Sequence, residues 1–319
     1  MPATPPPGPE RPVPSTLRGP GWRPRARTHA DEMGTVWSPF GVNHAVATLR
    51  TVLLGAPGAE LRDLANPGDW LMPESPDLTT LQAQAAGLAA AYATEGIEVV
   101  WHRPQGPHVP PNHIFAADLF FLTPEGAILA RMAAEQRAGE ERLVAQALAD
   151  LGVPLLLTPR GDATFEGADA AWLDPRTVLL GVGQRTNRAA VAQIGPLLAS
   201  MGAEMRVAEL AGGVQHLLGA VNLVDVDLAF VRASQLTSSL REALRGWKLV
   251  ELPDDDEVVG RRAMNFVTLG PRAVLLPTGC PRTRAVLEAH GVRVVEAEVS
   301  EYVKAGGAMG CATGILRRG

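Results

Sequence analysis

Of the side chains able to do covalent chemistry, Cys311 has the most suggestive setting, inside the run K-A-G-G-A-M-G-C-A-T-G-I-L of residues 304–316. Small neighbours let backbone and ligand approach a thiol, and a thiol becomes a nucleophile where positive charge or hydrogen bonds favour its thiolate. The same run equally suits an inert cysteine among packing glycines. Cys280, in P-T-G-C-P, reads as a turn or packing residue. His216 stands in G-G-V-Q-H-L-L, a place for a proton-transferring imidazole or for a satisfied core histidine. His29, His44, His102 and His108 lie in polar or tail surroundings and are poorer candidates. Asp118 follows the apolar N-H-I-F-A-A, and Glu166 and Asp169 lie in T-F-E-G-A-D. Carboxylates at the edge of buried strands cost free energy unless cations or donors meet them, so each marks a structural ion pair or a cationic ligand. Arg185, in G-V-G-Q-R-T-N, and Arg137, in A-E-Q-R-A-G-E-E-R, are planar forks suited to a carboxylate, or surface arginines. Jointly, a thiolate, an imidazole and two carboxylates could hold a planar cation while sulfur attacks its central carbon; guanidinium is such a cation. Metal binding is the weaker reading, because no His/Cys/Asp pair has the close spacing of a zinc site.

These residues are far apart in the chain, so a repeated scaffold must bring them together. L-R-T-V-L-L-G-A-P at residues 49–57 reads as a buried strand, followed by a helix over residues 78–95 and the strand I-E-V-V-W-H. D-L-F-F-L-T-P-E-G-A-I-L reads as a hairpin leading to a helix near residues 138–151 and the strand V-P-L-L-L-T-P. The same order recurs from Asp169, from V-N-L-V-D-V-D-L-A-F-V with a helix over 236–245, and from N-F-V-T-L-G-P-R-A-V-L-L-P with a helix over 283–290. A strand, strand, helix, strand module therefore appears about five times at a spacing of roughly 40–50 residues, the mark of a repeat architecture. The last short strand, around Cys311, has no helix after it, as though it returned to complete the first module and close a ring. Asp118, Asp169, His216 with Asn222, Asn265 and Cys311 all fall near hairpin starts or ends, which such a ring would bring toward one axis.

With 319 residues, 46% apolar and 20% charged, the chain can bury one large core, and its net charge of -5 gives no reason to expect nucleic acid. Two cysteines build no disulfide framework, so a reducing, cytoplasmic setting is the simplest expectation. No apolar run reaches the roughly 18 residues of a membrane helix, and no apolar signal core is evident. Residues 1–30, rich in Pro, Arg and Gly, are expected to be a disordered tail, leaving 31–319 as one catalytic domain.

The motifs F-A-A-D ending at Asp118, A-R-M-A-A-E-Q-R-A-G-E-E, F-E-G-A-D, G-V-G-Q-R-T-N, Q-H-L, N-F-V-T-L-G-P and G-G-A-M-G-C-A-T occur in this order across residues 49–317. In that order and spacing the chain resembles the guanidino-group-modifying enzymes, the pentein superfamily of arginine deiminases, amidinotransferases and dimethylarginine dimethylaminohydrolases. The resemblance implies an α/β fold, a five-bladed propeller of ββαβ modules around a central channel. It implies Cys311 as the nucleophile of a covalent thiouronium intermediate, with His216 as acid and then base. Glu166 and Asp118 would hold the guanidinium, Arg185 and Arg137 would bind the substrate's carboxylate, and no cofactor would be needed. Deiminases and amidinotransferases carry an Asp two residues after the catalytic His, where this chain has Leu218, as in the dimethylarginine hydrolases. Those hydrolases, however, place acids at the positions of Ala117 and Asn112, the latter to receive the substrate's α-amine. Asn112 and Asp169 therefore join the candidate substrate contacts, with a substrate whose amine end is altered or held elsewhere. The expected partner is a small guanidino compound, acted on by a hydrolase or, if an amine replaces water, an amidinotransferase; a homodimer is left open. A noncatalytic guanidino-binding protein would need the acids but not the thiol.

Overall fold

The computed structural model describes residues 13–62, 64–106 and 108–319, so residues 1–12 of the expected tail lie outside the described residues. Within the rest of that segment, Ser15–Leu17 forms one 3-10 turn and His29–Glu32 a helical turn capped by Thr28. Arg25 pairs with Glu32, which is buried.

The modules follow in chain order. The first has β1 (Leu49–Gly55), the helix Leu78–Thr94 and β2 (Glu98–His102). The second has β3 (Phe120–Thr123), β4 (Gly126–Leu129), the helix Glu140–Asp150 and β5 (Leu155–Leu157). The third has β6 (Ala170–Asp174), β7 (Thr177–Val182), the helix Arg188–Ser200 and β8 (Glu204–Glu209). The fourth has β9 (Val221–Asp225), β10 (Leu228–Arg232), the helix Ser238–Ala243 and β11 (Lys248–Leu252). The fifth has β12 (Val267–Gly270), β13 (Ala273–Pro277), the helix Pro281–Ala289 and β14 (Arg293–Ala297), after which β15 (Thr313–Arg318) remains.

Five three-stranded sheets result among the described residues, in the orders β3-β4-β5, β6-β7-β8, β9-β10-β11, β12-β13-β14 and β15-β1-β2. In each, the first pair is antiparallel and the second parallel. The last strand does return to the first: Val52 pairs with Ile315, Leu53 with Gly314 and Leu54 with Thr313.

Sequence explains the elements locally. The middle strands β4, β7, β10 and β13 are apolar and almost wholly buried, as strands covered on both faces must be. Each fully buried Leu or Ile, such as Ile128 or Leu179, contributes about 1.5–3 kcal/mol. The helices start where Asp77, Asn187 and Thr237 accept the backbone N–H of Thr80, Ala190 and Leu240. In the β3–β4 turn, Gly126 has φ +141°, and a Cβ there would lie 2.4 Å from the Pro154 carbonyl oxygen.

One expected element is corrected. Residues 304–316 are not one strand: the helical turns Ser300–Lys304 and Met309–Ala312 come first, and the strand begins at Thr313. The run G-G-A-M-G-C-A has no β-branched side chain to favour extension, and Thr313 is where such residues resume.

Candidate active site

The chemistry-bearing residues share one structural position. One-turn helices at Ala116–Leu119, Gly167–Asp169, Leu217–Gly219, Ala263–Asn265 and Met309–Ala312 lead into β3, β6, β9, β12 and β15. Asp118 lies in the first, Glu166 caps the second, which Asp169 ends, and His216 caps the third. Asn265 ends the fourth and Cys311 lies in the last. Close approach sets the glycines beside them: a Cβ on Gly167 would fall 2.1 Å from the Phe120 carbonyl oxygen.

Acids and cations alternate in this cluster. Glu166 is fully buried; its Oε2 accepts from His216 Nε2 at 2.7 Å, and its Oε1 accepts from the Ala133 N–H at 3.1 Å and Arg185 Nη1 at 3.4 Å. Asp118 Oδ2 accepts from Arg137 Nη1 at 2.7 Å. Asp118 Oδ1 is buried and accepts no hydrogen bond, yet lies 3.6 Å from His216 Nδ1.

These neighbours set the protonation states. Burial pushes the Glu166 carboxyl up, but the hydrogen bond and charge of His216, with Arg137 and Arg185, outweigh it and hold Glu166 at about 2. Burial lowers His216, but the charge of Asp118, the bond to Glu166 and the charge of Asp169 overturn that and raise it to about 9. At neutral pH the pair is carboxylate and imidazolium. Burial and the charge of Asp118 raise the Cys311 thiol above its ordinary range, opposed by the Ala308 backbone, Arg262 and Asn265. His216 and Cys311 thus both feel Asp118.

Asn265 is the residue whose part in the site sequence reasoning missed. Its Oδ1 accepts the Cys311 backbone N–H at 3.0 Å, so its Nδ2 must be the group facing Cys311 Sγ at 3.2 Å, and a donor there favours thiolate. Gly310 makes room for it, since a Cβ there would lie 3.0 Å from Asn265 Oδ1. The signal was available: Asn265 occupies in its module the place that Asp118 and His216 occupy in theirs.

Three expected substrate contacts face protein instead. Arg137 is buried with its fork engaged, its Nε and Nη2 donating to Glu140 at 3.0 and 2.8 Å and its Nη1 to Asp118, so it offers no open face to a carboxylate. Of its partners, Asp118 comes from a distant turn that sequence spacing did not reveal. Asp169 accepts from the Thr186 hydroxyl at 2.7 Å and the Leu217 N–H at 2.9 Å, holding the turn that carries His216. Asn112 donates to the Trp70 carbonyl at 2.6 Å and fastens one loop to another. Arg185 keeps part of its side chain exposed. Cys280 is buried, and burial pushes its thiol up to about 12.

Asp118, Glu166 and His216 have ligand atoms within 4.8 Å of one another, the spacing of a metal site. Arg137 and Arg185 already stand against these acids, and positive neighbours disfavour a further cation of higher charge.

An arginine deiminase family model matches residues 108–239. An uncharacterised Aeropyrum pernix protein is 32% identical over 188 residues, covering 58% of this chain and 65% of that one. The dimethylarginine dimethylaminohydrolase of Pseudomonas aeruginosa is 25% identical over 205 residues, 63% of this chain and 75% of that one. In fold, the inosamine-phosphate amidinotransferase of Streptomyces griseus superposes with a TM-score of 0.70 at 17% identity, over 88% of this chain and 97% of that one. The chain is thus similar in sequence to arginine deiminases over residues 108–239 and to a dimethylarginine dimethylaminohydrolase, and it shares the fold of a solved amidinotransferase.

Proposed function

We propose that this protein is a cysteine-dependent hydrolase that cleaves a C–N bond of a guanidino compound, built on a five-bladed pentein ring with Cys311 as nucleophile. The carrying observation is Asp118 Oδ1, an acceptor with no partner that stands beside both His216 and, through its charge, Cys311. A guanidinium N–H donating to that oxygen satisfies a buried group that otherwise costs about 1–3 kcal/mol. The bound cation also cancels the effect of Asp118 on sulfur, so the thiolate forms as substrate arrives.

The thiolate Sγ then adds to the guanidinium carbon. His216 Nε2 is tied to Glu166, which leaves Nδ1 to give its proton to the departing nitrogen as the C–N bond breaks. The product is an amine and a thiouronium on Cys311. Water, losing one proton to the now neutral imidazole, adds to that carbon; the C–S bond breaks, the added hydroxyl gives its remaining proton to solvent, and a urea-type product leaves with thiolate and imidazolium restored. Arg185 is the cation left to meet a substrate carboxylate. An amine in place of water gives amidino transfer, a second reading supported by the likeness to the Streptomyces griseus amidinotransferase.

The test is incubation with arginine, N-methylated arginines, agmatine and guanidino acids, with and without glycine, followed by mass analysis of products and of the Cys311 peptide. An amidino adduct on Cys311 is expected, with products assigning water or amine as acceptor. Turnover without Cys311 would overturn the reading.

A further inference from the structure

A cavity of about 150 Å³ is bounded by β3, β6, β9, β12 and β15, with Val42 and Ala45 of the segment before β1 also lining it. Its walls reach from Gly310, beside the thiol, to Arg318 at the other end of β15. Six strand residues span about 20 Å, so the cavity is long rather than round. Its lining is mostly aliphatic and aromatic, including Phe120, Leu217 and Phe266. Its polar side chains bond internally: Thr268 donates to the Leu223 carbonyl, Thr313 to that of Met309, and Asn222 to those of Met264 and Phe266.

Arg318 is the exception. It is nine-tenths buried, donating from Nη1 to the Ala47 carbonyl at 2.7 Å and from Nη2 to that of Thr268 at 2.8 Å. It makes no ion pair with any carboxylate among the described residues, and its buried Nε has no partner. A guanidinium removed from water without an anion is costly, and its planar fork matches a carboxylate.

We propose that this cavity is a second binding site, taking a slender apolar monocarboxylate whose head pairs with Arg318 and whose tail lies along the inner strands toward Gly310. A cavity of this volume holds one small apolar molecule in other proteins, and a chain of about eight carbons suits the elongated shape. The wall also includes Gly167 and Leu217, neighbours of Glu166 and His216, so an occupant touches the far side of the turns that carry the candidate active site.

The test is calorimetric titration and thermal melting of the full chain with octanoate, 1-octanol and acetate, which carry head and tail, tail alone and head alone. Octanoate should bind roughly tenfold or more tighter than either control and should raise the melting temperature. Arg318→Met should bring octanoate to the level of octanol. Ala171→Phe, which leaves Arg318 untouched, should fill the cavity and weaken octanoate and octanol together, with circular dichroism checking the fold of both variants. Cys311→Ala should bind octanoate as the unsubstituted chain does, which separates this site from the thiol. Equal binding of octanoate and octanol, equal binding of acetate, indifference to Arg318→Met, or loss in Cys311→Ala would each overturn the proposal.

Discussion

Arg137 and Arg318 are both buried, and the chain accommodates them in opposite ways. Arg137 is enclosed by Asp118, Glu140 and Glu166, while Arg318 meets carbonyl oxygens and apolar walls. The charge follows suit: burial lowers Arg137, but the acids carry it well above the ordinary arginine value, whereas burial alone draws Arg318 down to about 10. One end of the inner strands is an ionic cluster in which Arg137, Glu166 and His216 support one another's charge, although burial still pushes Glu140 up to about 7. The other is a mostly apolar pocket with a single cation. Reaction is expected at the first, because charge there has partners among which to move.

The largest effect should come from sulfur at the ionic end. Cys311→Ala abolishes turnover and leaves the urea midpoint unchanged, since Ala fits among small neighbours; Cys280→Ala keeps turnover. A Cys311→Ala protein with full activity would erase the functional side of the contrast. Next, the arginines should differ in stability. Arg137→Met strands buried acids and costs about 3–5 kcal/mol, while Arg318→Met leaves two carbonyls short of donors and costs about 1–2 kcal/mol. Equal losses in urea unfolding would show the two settings to be energetically alike.

pH sharpens the same contrast. The folded value of His216, about 9, lies above its ordinary 6.5, so its contribution is whole below about pH 6.5 and lost as pH rises through 9. Urea midpoints should therefore fall across that window, and His216→Gln should flatten the slope. The smallest effect concerns Asn265. Removing one donor to sulfur should slow alkylation of Cys311 by iodoacetamide at pH 8 roughly three- to tenfold in Asn265→Ala, and an unchanged rate would remove its role.

Sequence made the scaffold more legible than the site. Alternating apolar runs and turns set out the repeated modules, and the return of the last strand followed from its missing helix. Arg137 was harder to read, because E-Q-R-A-G-E-E has the i, i+3 charge spacing of a solvated face and the deciding partner, Asp118, is 19 positions away. Arg318 carried no sequence signal: a register shift in the pairing of β15 with β1 brings it to the cavity wall shared by Thr313 and Ile315, while Arg317 stays exposed. Asn112 and Asp169 carried the right chemistry, but neighbours in space had already claimed both oxygens of Asp169 and the Nδ2 of Asn112.

The pairing of β1 with β15 has a consequence for biosynthesis. Residues 52 and 315 face each other across the β1–β15 pair, so the first sheet stays unfinished until nearly all of this sequence has left the ribosome. A nascent chain lacks its cysteine turn throughout that interval, and one that stops before residue 309 has no thiol to set against Asn265.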